Sequence, residues 1–184
     1  DSFTGKPRSR RVAAWGKWTA WQEVQAIFSM PSTGISTGKM AARATGRHRA
    51  VVARSLHPEY REVLATYTQH QGLPVSLVGF TESGRVDLTA LEKAVTQETA
   101  CVVLQSPNFF GQIENMQGVA DAVHAVGALL IVATDPIGLG ILTPPGDYGA
   151  DVVVAEGQSL GIPLSYGGPY LGIFATKNAY VHKM

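Results

Sequence analysis

Five side chains with reactive or hydrogen-bonding groups follow apolar stretches of the sequence. His57 follows VVARSL, Asn108 follows ACVVLQSP, Asp135 lies near the end of ALLIVATDP, and Gln158 and Ser159 come shortly after GADVVVAE. Short apolar runs bounded by Gly and Pro are typical of buried strands. Open α/β sheets bind ligands at the carboxyl ends of such strands. These five residues are therefore the candidate site.

Asp135 and His57 each have a structural alternative to a role in chemistry. Asp135 stands beside a proline, and the residues alone favour a turn or a helix cap over an active-site carboxylate. His57 also precedes a proline, which restricts it to an extended conformation before a helix begins. A hydrogen bond at the start of that helix is the favoured role for His57. His124 is most simply a partly exposed helix residue.

The loop after ACVVLQSP combines an amide with two aromatic rings. Asn108 is followed by Phe109 and Phe110, and the loop ends at Gly111. Such a group suits a subunit contact or the rim of a pocket. The alternative is that the rings fill the edge of the core, and we expect at least one of them to do so.

The segment GQSLG places Ser159 in a GxSxG pattern, which is the nucleophile elbow of α/β-hydrolases. Pro163 follows too soon for the helix that this motif requires, so a serine hydrolase is the minor alternative. Gln158 and Ser159 directly follow a buried strand and need hydrogen-bond partners. A ligand, a partner chain or the glycine-rich loop itself could supply them. No HExxH or CxxC spacing occurs, so no metal site is predicted.

Strand and helix patterns alternate from residue 41 onward. Helices are predicted in HPEYREVLATYTQHQG, in DLTALEKAVTQ with Asp87 as its cap, and in NMQGVADAVHAVG with a stop at Gly127. Apolar strands lie between them. This alternation predicts a mostly parallel α/β sheet with helices on both faces.

Residues 1–40 do not share this pattern. DSFTGKPRSRR is polar and charged, and we expect it to be disordered or a chain-end artefact. PSTGISTGKM is similar to a phosphate loop, but Gly34 and Gly38 are too close together and no strand is recognisable before it. We therefore divide the chain into a divergent N-terminal segment, 1–40, and a partial large α/β domain, 41–184.

Composition excludes several classes of function. The chain has 184 residues, 45% hydrophobic content and a formal net charge of +1, which argues against nucleic-acid binding. No apolar run reaches the length of roughly 20 residues that a membrane span needs. The single Cys101 lies in an apolar run and is expected in the core, which indicates a reducing compartment and a cytoplasmic location.

Three motifs resemble those of the glycine dehydrogenase (decarboxylating) family, the pyridoxal-phosphate-dependent P-protein of the glycine cleavage system. They are HPEYREVL at 57–64, QSPNFFG at 105–111 and EGQSLGIPLSYGGPYLG at 156–172. The resemblance is closer to subunit 1 of the two-subunit bacterial form, the N-terminal half of the single-chain form. It implies the large domain of the fold-type-I pyridoxal-phosphate-dependent transferase fold, truncated at both ends.

The resemblance also implies a function. The family decarboxylates glycine and passes the aminomethyl group to the lipoyl carrier H-protein, in a heterotetramer for the two-subunit form. Its catalytic half carries a Schiff-base lysine after an equivalent GAD strand, and the corresponding position here is Ser159. Pyridoxal phosphate would therefore be held by catalytic subunit 2 and not covalently by this chain. Asp135 and His57 would be vestigial cofactor positions. In the catalytic half, the residue at the Asp135 position pairs with the ring nitrogen of the cofactor, and the residue at the His57 position stacks on the cofactor ring.

One family motif is missing. Members have a Tyr-Asp-Gly-(small)-Thr-Ala run that opens an Ala-rich helix on the active-site side, and STGISTGKMAA stands in its place. The sequence gives no assured helix start there. A non-catalytic interaction remnant is therefore the main alternative to a subunit that supports catalysis.

Overall fold

The computed structural model describes residues 24–27, 33–70, 72–167 and 170–182. Within these ranges the strands and helices follow in chain order: β1 Val24–Ile27, α1 Thr33–Thr45, β2 Arg49–Ala53, α2 Pro58–Thr68, β3 Val75–Val78, α3 Leu88–Ala94, β4 Thr99–Gln105, α4 Met116–Ala125, β5 Leu129–Thr134, β6 Val152–Glu156 and β7 Gly172–Thr176. The disorder predicted for residues 1–11 concerns residues outside the described ranges.

The seven strands form one sheet in the order β1-β7-β6-β5-β4-β2-β3. The five strands β6, β5, β4, β2 and β3 are parallel to one another. Strand β7 is antiparallel to both β6 and β1. The predicted mostly parallel sheet is confirmed. Strand β4 shows why the sequence favours it: its first six residues, 99–104, are all buried, as strands covered on both faces must be.

Alternate residues of strands β2 to β7 pack in two separate apolar cores, one on each face of the sheet. In β2, Val51 packs in the core that includes Leu91 of α3 and Val119 of α4. Its neighbour Val52 packs in the opposite core, which includes Leu64 of α2. Helices therefore cover both faces, as predicted, and every parallel strand in the centre is shielded from water.

The helix caps expected from the sequence are present. Asp87 accepts a hydrogen bond from the Ala90 amide at 3.0 Å and caps α3. Gly127 follows α4 with φ +72°, a left-handed conformation that favours glycine after a helix end. These local signals fix where each helix begins and ends, and hence where the connecting loops emerge from the sheet.

The N-terminal boundary differs from the expectation. Helix α1 begins at Thr33, so residue 40 lies inside it, and β1 precedes it as a sheet strand. A strand and a helix therefore occur in a segment whose residues carry no assured signal for either. The segment TGISTGKMAARAT contains two glycines and has weak helix propensity. Its helix depends on tertiary packing: Ala41 is fully buried against the sheet, and α1 contacts α2.

No helix in the described part of the chain is long and apolar enough to cross a membrane.

Candidate functional site

The predicted site residues all lie at one edge of the sheet, where the parallel strands end. His57 follows β2, Asn108 follows β4, Asp135 follows β5, and Gln158 and Ser159 follow β6. The loops of His57 and Asn108 are joined to each other. Asp135 and Gln158 make hydrogen bonds within their own loops. The structure thus brings two of the four loops into direct contact.

His57 caps helix α2. Its Nδ1 accepts a hydrogen bond from the Glu59 amide at 3.3 Å, which is the structural role predicted from the following proline. Its ring lies between two aromatic rings, with centroid distances of 5.1 Å to both Tyr60 and Phe109. The backbone amide of His57 donates to Gln105 Oε1 at 3.1 Å. These contacts fix the imidazole on the loop.

Asn108 is a buried structural residue, with 4% of its surface exposed. Its Nδ2 donates to the Gly84 carbonyl and to Glu114 Oε1, both at 2.7 Å. Its Oδ1 accepts from the amides of Phe110 and Gln112 at 2.9 and 3.1 Å. All of its hydrogen-bonding capacity is used within the chain.

The expectation that one of the two adjacent rings fills the core is wrong. Phe109 is 49% exposed and Phe110 is 46% exposed. The turn closes around the Asn108 amide, which takes the buried position, so both rings stay at the surface. Phe110 packs against Phe80 from the loop after β3, with ring centroids 4.8 Å apart.

Glu114 is a buried carboxylate that the sequence analysis did not identify. Its surface is 5% exposed. Its Oε1 accepts from Ser55 Oγ at 3.1 Å as well as from Asn108, and its Oε2 accepts from the Val86 amide at 2.9 Å. The only signal in the sequence was an acidic residue between Ile113 and Asn115, after a stretch without charge.

The Glu114 hydrogen bonds cross the point where the strand order reverses. The chain runs outward from β2 to β3 and then returns to the other side of β2 as β4. Open α/β sheets bind ligands in the crevice at such a point. Here Ser55 after β2 and Asn108 after β4 both donate to the Glu114 carboxylate. The protein's own polar network therefore bridges this position.

Asp135 takes the structural role that the residues alone favour. Its side chain is exposed, and its Oδ1 accepts a hydrogen bond from the Ile137 amide at 2.9 Å. The carboxylate closes the turn that follows β5. That turn leads into the short 3-10 helix Gly138–Gly140.

The glycine-rich loop satisfies its own polar groups. Glu156 Oε1 accepts from the amides of Gln158 and Leu171 at 3.0 and 2.8 Å, and Gln158 Nε2 donates to the Ile162 carbonyl at 2.5 Å. For Gln158, the loop and the end of β6 supply hydrogen-bond partners. Glu156 thereby holds the two ends of the loop together.

Ser159 is exposed on a three-residue 3-10 helix, Gln158–Leu160. The nucleophile elbow of a hydrolase leads directly into a long helix, and this turn does not. In the described ranges no histidine or carboxylate hydrogen-bonds the Ser159 hydroxyl. The geometry gives no support to the hydrolase alternative.

The electrostatics of this edge disfavour ionised tyrosines. Burial raises the pKa of Tyr60, and the negative charges of Glu156 and Glu59 raise it further. Burial also raises the pKa of Tyr148 well above its ordinary value. Both phenols are therefore neutral donors near physiological pH and do not act as bases there.

A second buried carboxylate lies at the opposite edge of the sheet. Asp151 precedes β6; its Oδ1 accepts from Lys177 Nζ at 2.6 Å, and its Oδ2 accepts from His124 Nε2 at 2.8 Å. Lys177, the lysine nearest to Ser159 in sequence, is therefore directed away from the candidate site. His124 lies on α4 with 39% of its side chain exposed, as expected, but it also has this hydrogen-bond partner. The described residues contain no cluster of His, Cys, Asp and Glu that could hold a metal ion.

The sheet and its covering helices define the class of protein: this is part of the large α/β domain of the pyridoxal-phosphate-dependent transferase fold. The chain superposes on the crystal structure of glycine decarboxylase (P-protein) of the glycine cleavage system, in inhibitor-bound form, with a TM-score of 0.79 and 40% identity, covering 88% of this chain and 36% of that one. The sphingosine-1-phosphate lyase of Burkholderia pseudomallei matches with a TM-score of 0.62 and 18% identity over 83% of this chain and 38% of that one, which shows the fold alone.

The family follows from the sequence matches. The model of the glycine cleavage system P-protein family matches residues 34–184, and the chain belongs to that family. It is 54% identical over 156 residues to the probable glycine dehydrogenase (decarboxylating) subunit 1 of Koribacter versatilis, covering 83% of this chain and 35% of the relative. The Thermotoga maritima protein of the same description is 51% identical over 145 residues, covering 79% and 32%. The chain spans about a third of the length of the curated relatives it matches.

The residues present do not fit a covalently bound pyridoxal phosphate. The loops that follow β2, β4, β5 and β6 contain no lysine. Ser159 is exposed at the position where the resemblance places one. The Asp135 carboxylate, the candidate partner of the ring nitrogen, is used to close its own turn.

Proposed function

We propose that this chain is part of a glycine decarboxylase subunit that supports the chemistry carried out by a catalytic partner. Membership of the P-protein family and the subunit 1 relatives support the reaction class. The observation that carries the supporting role is the exposed Ser159, together with the absence of lysine from the loops at the carboxyl edge of the sheet. A Schiff base requires an amine, so the cofactor belongs to the partner.

The partner in this proposal is catalytic subunit 2, which holds pyridoxal phosphate and acts on glycine. The aminomethyl group then passes to the lipoyl carrier H-protein. We place the complex in the cytoplasm, in keeping with the buried free thiol of Cys101.

The contribution of this chain is a set of rigid loops at one edge of the sheet. The Asn108–Glu114 network fixes the loop after β4, and Glu156 fixes the loop after β6. A catalytic site needs its supporting residues held closely in place. Loops that are ordered by buried hydrogen bonds can complete and shape the site of a neighbouring subunit.

The test is reconstitution with the purified catalytic subunit. We expect glycine-dependent exchange of labelled carbon dioxide to require both proteins, and this chain alone to give none. If the chain is an interaction remnant, exchange by the catalytic subunit will be the same with or without it.

A second measurement addresses the hydrolase alternative. We expect a fluorophosphonate probe not to label the protein. Labelling that is lost in the Ser159→Ala variant would favour a serine hydrolase and would contradict the proposed function.

A further inference from the structure

A polar cleft lies between the hairpin that follows β3 and the start of α4. Its volume is about 360 Å³, which is enough for a small molecule. The hairpin closes where Phe80 and Val86 pair as an isolated antiparallel bridge. Three hydroxyl-bearing residues and three charged residues line the cleft: Thr81, Ser83, Thr89, Arg85, Asp87 and Glu114. This lining suits a ligand that carries charge and forms hydrogen bonds.

Two opposite charges of the lining have no partner of their own. Among the described residues, the Arg85 guanidinium makes no hydrogen bond and no ion pair. Asp87 uses its Oδ1 to cap α3, and its Oδ2 has no partner in the same part of the chain. Arg85 and Asp87 do not form an ion pair with each other either. The cleft therefore offers one unpaired positive group and one unpaired negative group to a ligand.

Arg85 and Asp87 lie on the same side of an extended segment. Val86, between them, is 7% exposed and packs in the apolar core that includes Leu91 and Val119. Successive side chains of an extended chain point to opposite sides, so both neighbours of Val86 point away from that core. At roughly 3.3 Å per residue, their Cα atoms are about 7 Å apart. One small molecule in the cleft can therefore contact both side chains.

The segment that carries the two charges is held in place by buried hydrogen bonds. Asn108 Nδ2 donates to the Gly84 carbonyl at 2.7 Å, and the Val86 amide donates to Glu114 Oε2 at 2.9 Å. Both partners of this segment, Asn108 and Glu114, are themselves buried. A site whose backbone is already ordered loses less entropy when a ligand binds.

We propose that this cleft binds a small α-amino acid as its zwitterion. The Arg85 guanidinium donates to the two oxygens of the carboxylate, a pairing that its planar fork favours. The ammonium group donates to Asp87 Oδ2. A ligand with only one charge would leave the other charge of the cleft unpaired. No partner subunit or cofactor takes part, so this binding is independent of the proposed function.

Glu114 connects the cleft to the loops at the carboxyl edge of the sheet. Its carboxylate lines the cleft and also accepts hydrogen bonds from Ser55 Oγ and Asn108 Nδ2. Ser55 follows β2 and Asn108 follows β4. Coupling between sites is carried by hydrogen-bond networks of this kind. We therefore expect an amino acid in the cleft to perturb both loops.

The site is tested by titrating the full chain with glycine and following its backbone amides by NMR. We expect saturable shifts at residues 83–89. At the same concentration, acetate and methylamine should give much smaller shifts, because each supplies only one of the two charges. Raising the salt concentration should weaken glycine binding, because salt screens partly exposed charges.

Two variants each remove one charge. Arg85→Gln and Asp87→Asn should each raise the Kd for glycine by about tenfold or more, since a hydrogen bond to a charged group is lost. Asparagine is also a good helix cap, so Asp87→Asn keeps the start of α3. Arg43→Gln on α1 and Asp121→Asn on α4 make the same changes at exposed positions. These two controls should change Kd by less than about twofold.

Several outcomes would overturn the proposal. Glycine binding that is as tight in Arg85→Gln and Asp87→Asn as in the parent places the ligand elsewhere. Weaker binding in only one of the two variants, or equal shifts with acetate or methylamine, assigns the binding to a single charge. The absence of a saturable shift up to about 50 mM glycine excludes the site, because a ligand this small is expected to have a millimolar Kd.

Discussion

Asn108 Nδ2 donates a hydrogen bond to Glu114 Oε1 across 2.7 Å, and both side chains are more than nine-tenths buried. The other partners of the Glu114 carboxylate, Ser55 Oγ and the Val86 amide, are donors as well. The carboxylate thus acts only as an acceptor, and it ties together the loops that follow β2, β3 and β4. This relationship orders the turn that carries Phe109 and Phe110.

Replacing Glu114 by Gln is expected to lower the free energy of unfolding by about 1–3 kcal/mol, because the new amide NH₂ must face a buried donor and leave it unsatisfied. Glu92→Gln, a change at an exposed position of α3, serves as the control and should stay within about 0.5 kcal/mol of the parent. Urea unfolding measures both. Equal stabilities for the two variants would show that the Glu114 network contributes nothing to the fold.

Gly157 lies where side chains approach the backbone closely. A Cβ on Gly157 would come within 2.9 Å of Leu171 Cδ2 and 3.1 Å of Ile173 Cδ1. Gly157→Ala is therefore expected to cost about 1–3 kcal/mol. At Gly79 a Cβ meets no described atom within 4 Å, so Gly79→Ala should be neutral or slightly stabilising. Thermal unfolding of the pair tests this; a Gly157→Ala variant as stable as Gly79→Ala would contradict it.

The sequence predicts the elements well because their signals are local. Apolar runs bounded by Gly and Pro give the central strands, and Asp87 and Gly127 mark a helix start and a helix end. Helix α1 is not predicted, because its stability comes from packing on the sheet and not from its own residues.

The buried polar groups could not be predicted in the same way. Glu114 accepts hydrogen bonds from residues 28 and 59 positions away in sequence. Asp151 and Lys177 are separated by 26 positions. Such pairs depend on the order of strands in the sheet, and a single sequence carries no local pattern for them. The exposure of Phe109 and Phe110 follows from the same network, so it was missed for the same reason.

The Lys177–Asp151 ion pair anchors the end of the antiparallel strand β7 to the start of β6. Asp151→Asn removes the charge that faces Lys177 and His124, whose side chains are 36% and 39% exposed. Because that exposure weakens both contacts, we expect the free energy of unfolding to fall by about 2 kcal/mol, less than for a fully buried ion pair. Asp121→Asn on the surface of α4 is the matched control and should change stability by less than about 0.5 kcal/mol. A smaller loss for Asp151→Asn than for the control would exclude an anchoring role.

Cys101 should give the protein a measurable pH dependence above neutrality. Burial raises the pKa of the Cys101 thiol from its ordinary value of 9.0 to about 12. The unfolded chain therefore loses this proton near pH 9 while the folded chain keeps it. The contribution to stability is complete below about pH 9 and falls as the pH rises toward 12, by up to about 1.4 kcal/mol per pH unit.

The control for Cys101 is the Cys101→Ala variant, which lacks the thiol but keeps the tyrosines that titrate in the same range. We expect the difference in the free energy of unfolding between parent and variant to be constant at about pH 7–8. From about pH 9 upward we expect the parent to lose stability relative to the variant. Urea unfolding at each pH measures it. If the free energies of unfolding of the two proteins change in parallel with pH, the thiol is not shielded from water in the folded state.

Restoring a lysine at the family's Schiff-base position should not create a cofactor site. A Schiff-base lysine functions only with a phosphate cradle and a charge partner for the ring nitrogen already in place. Helix α1 begins at Thr33, where the sequence indicates no assured helix start. However, the Asp135 carboxylate accepts a hydrogen bond within its own turn, and position 159 is exposed to water. We expect Ser159→Lys to show no visible absorbance band after addition of pyridoxal phosphate, and no more borohydride-trapped cofactor than Ser165→Lys, a control lysine on the same loop. A band trapped at position 159 and absent from both the control and the parent would mean that this chain retains a complete cofactor pocket, and that its supporting role has been misassigned.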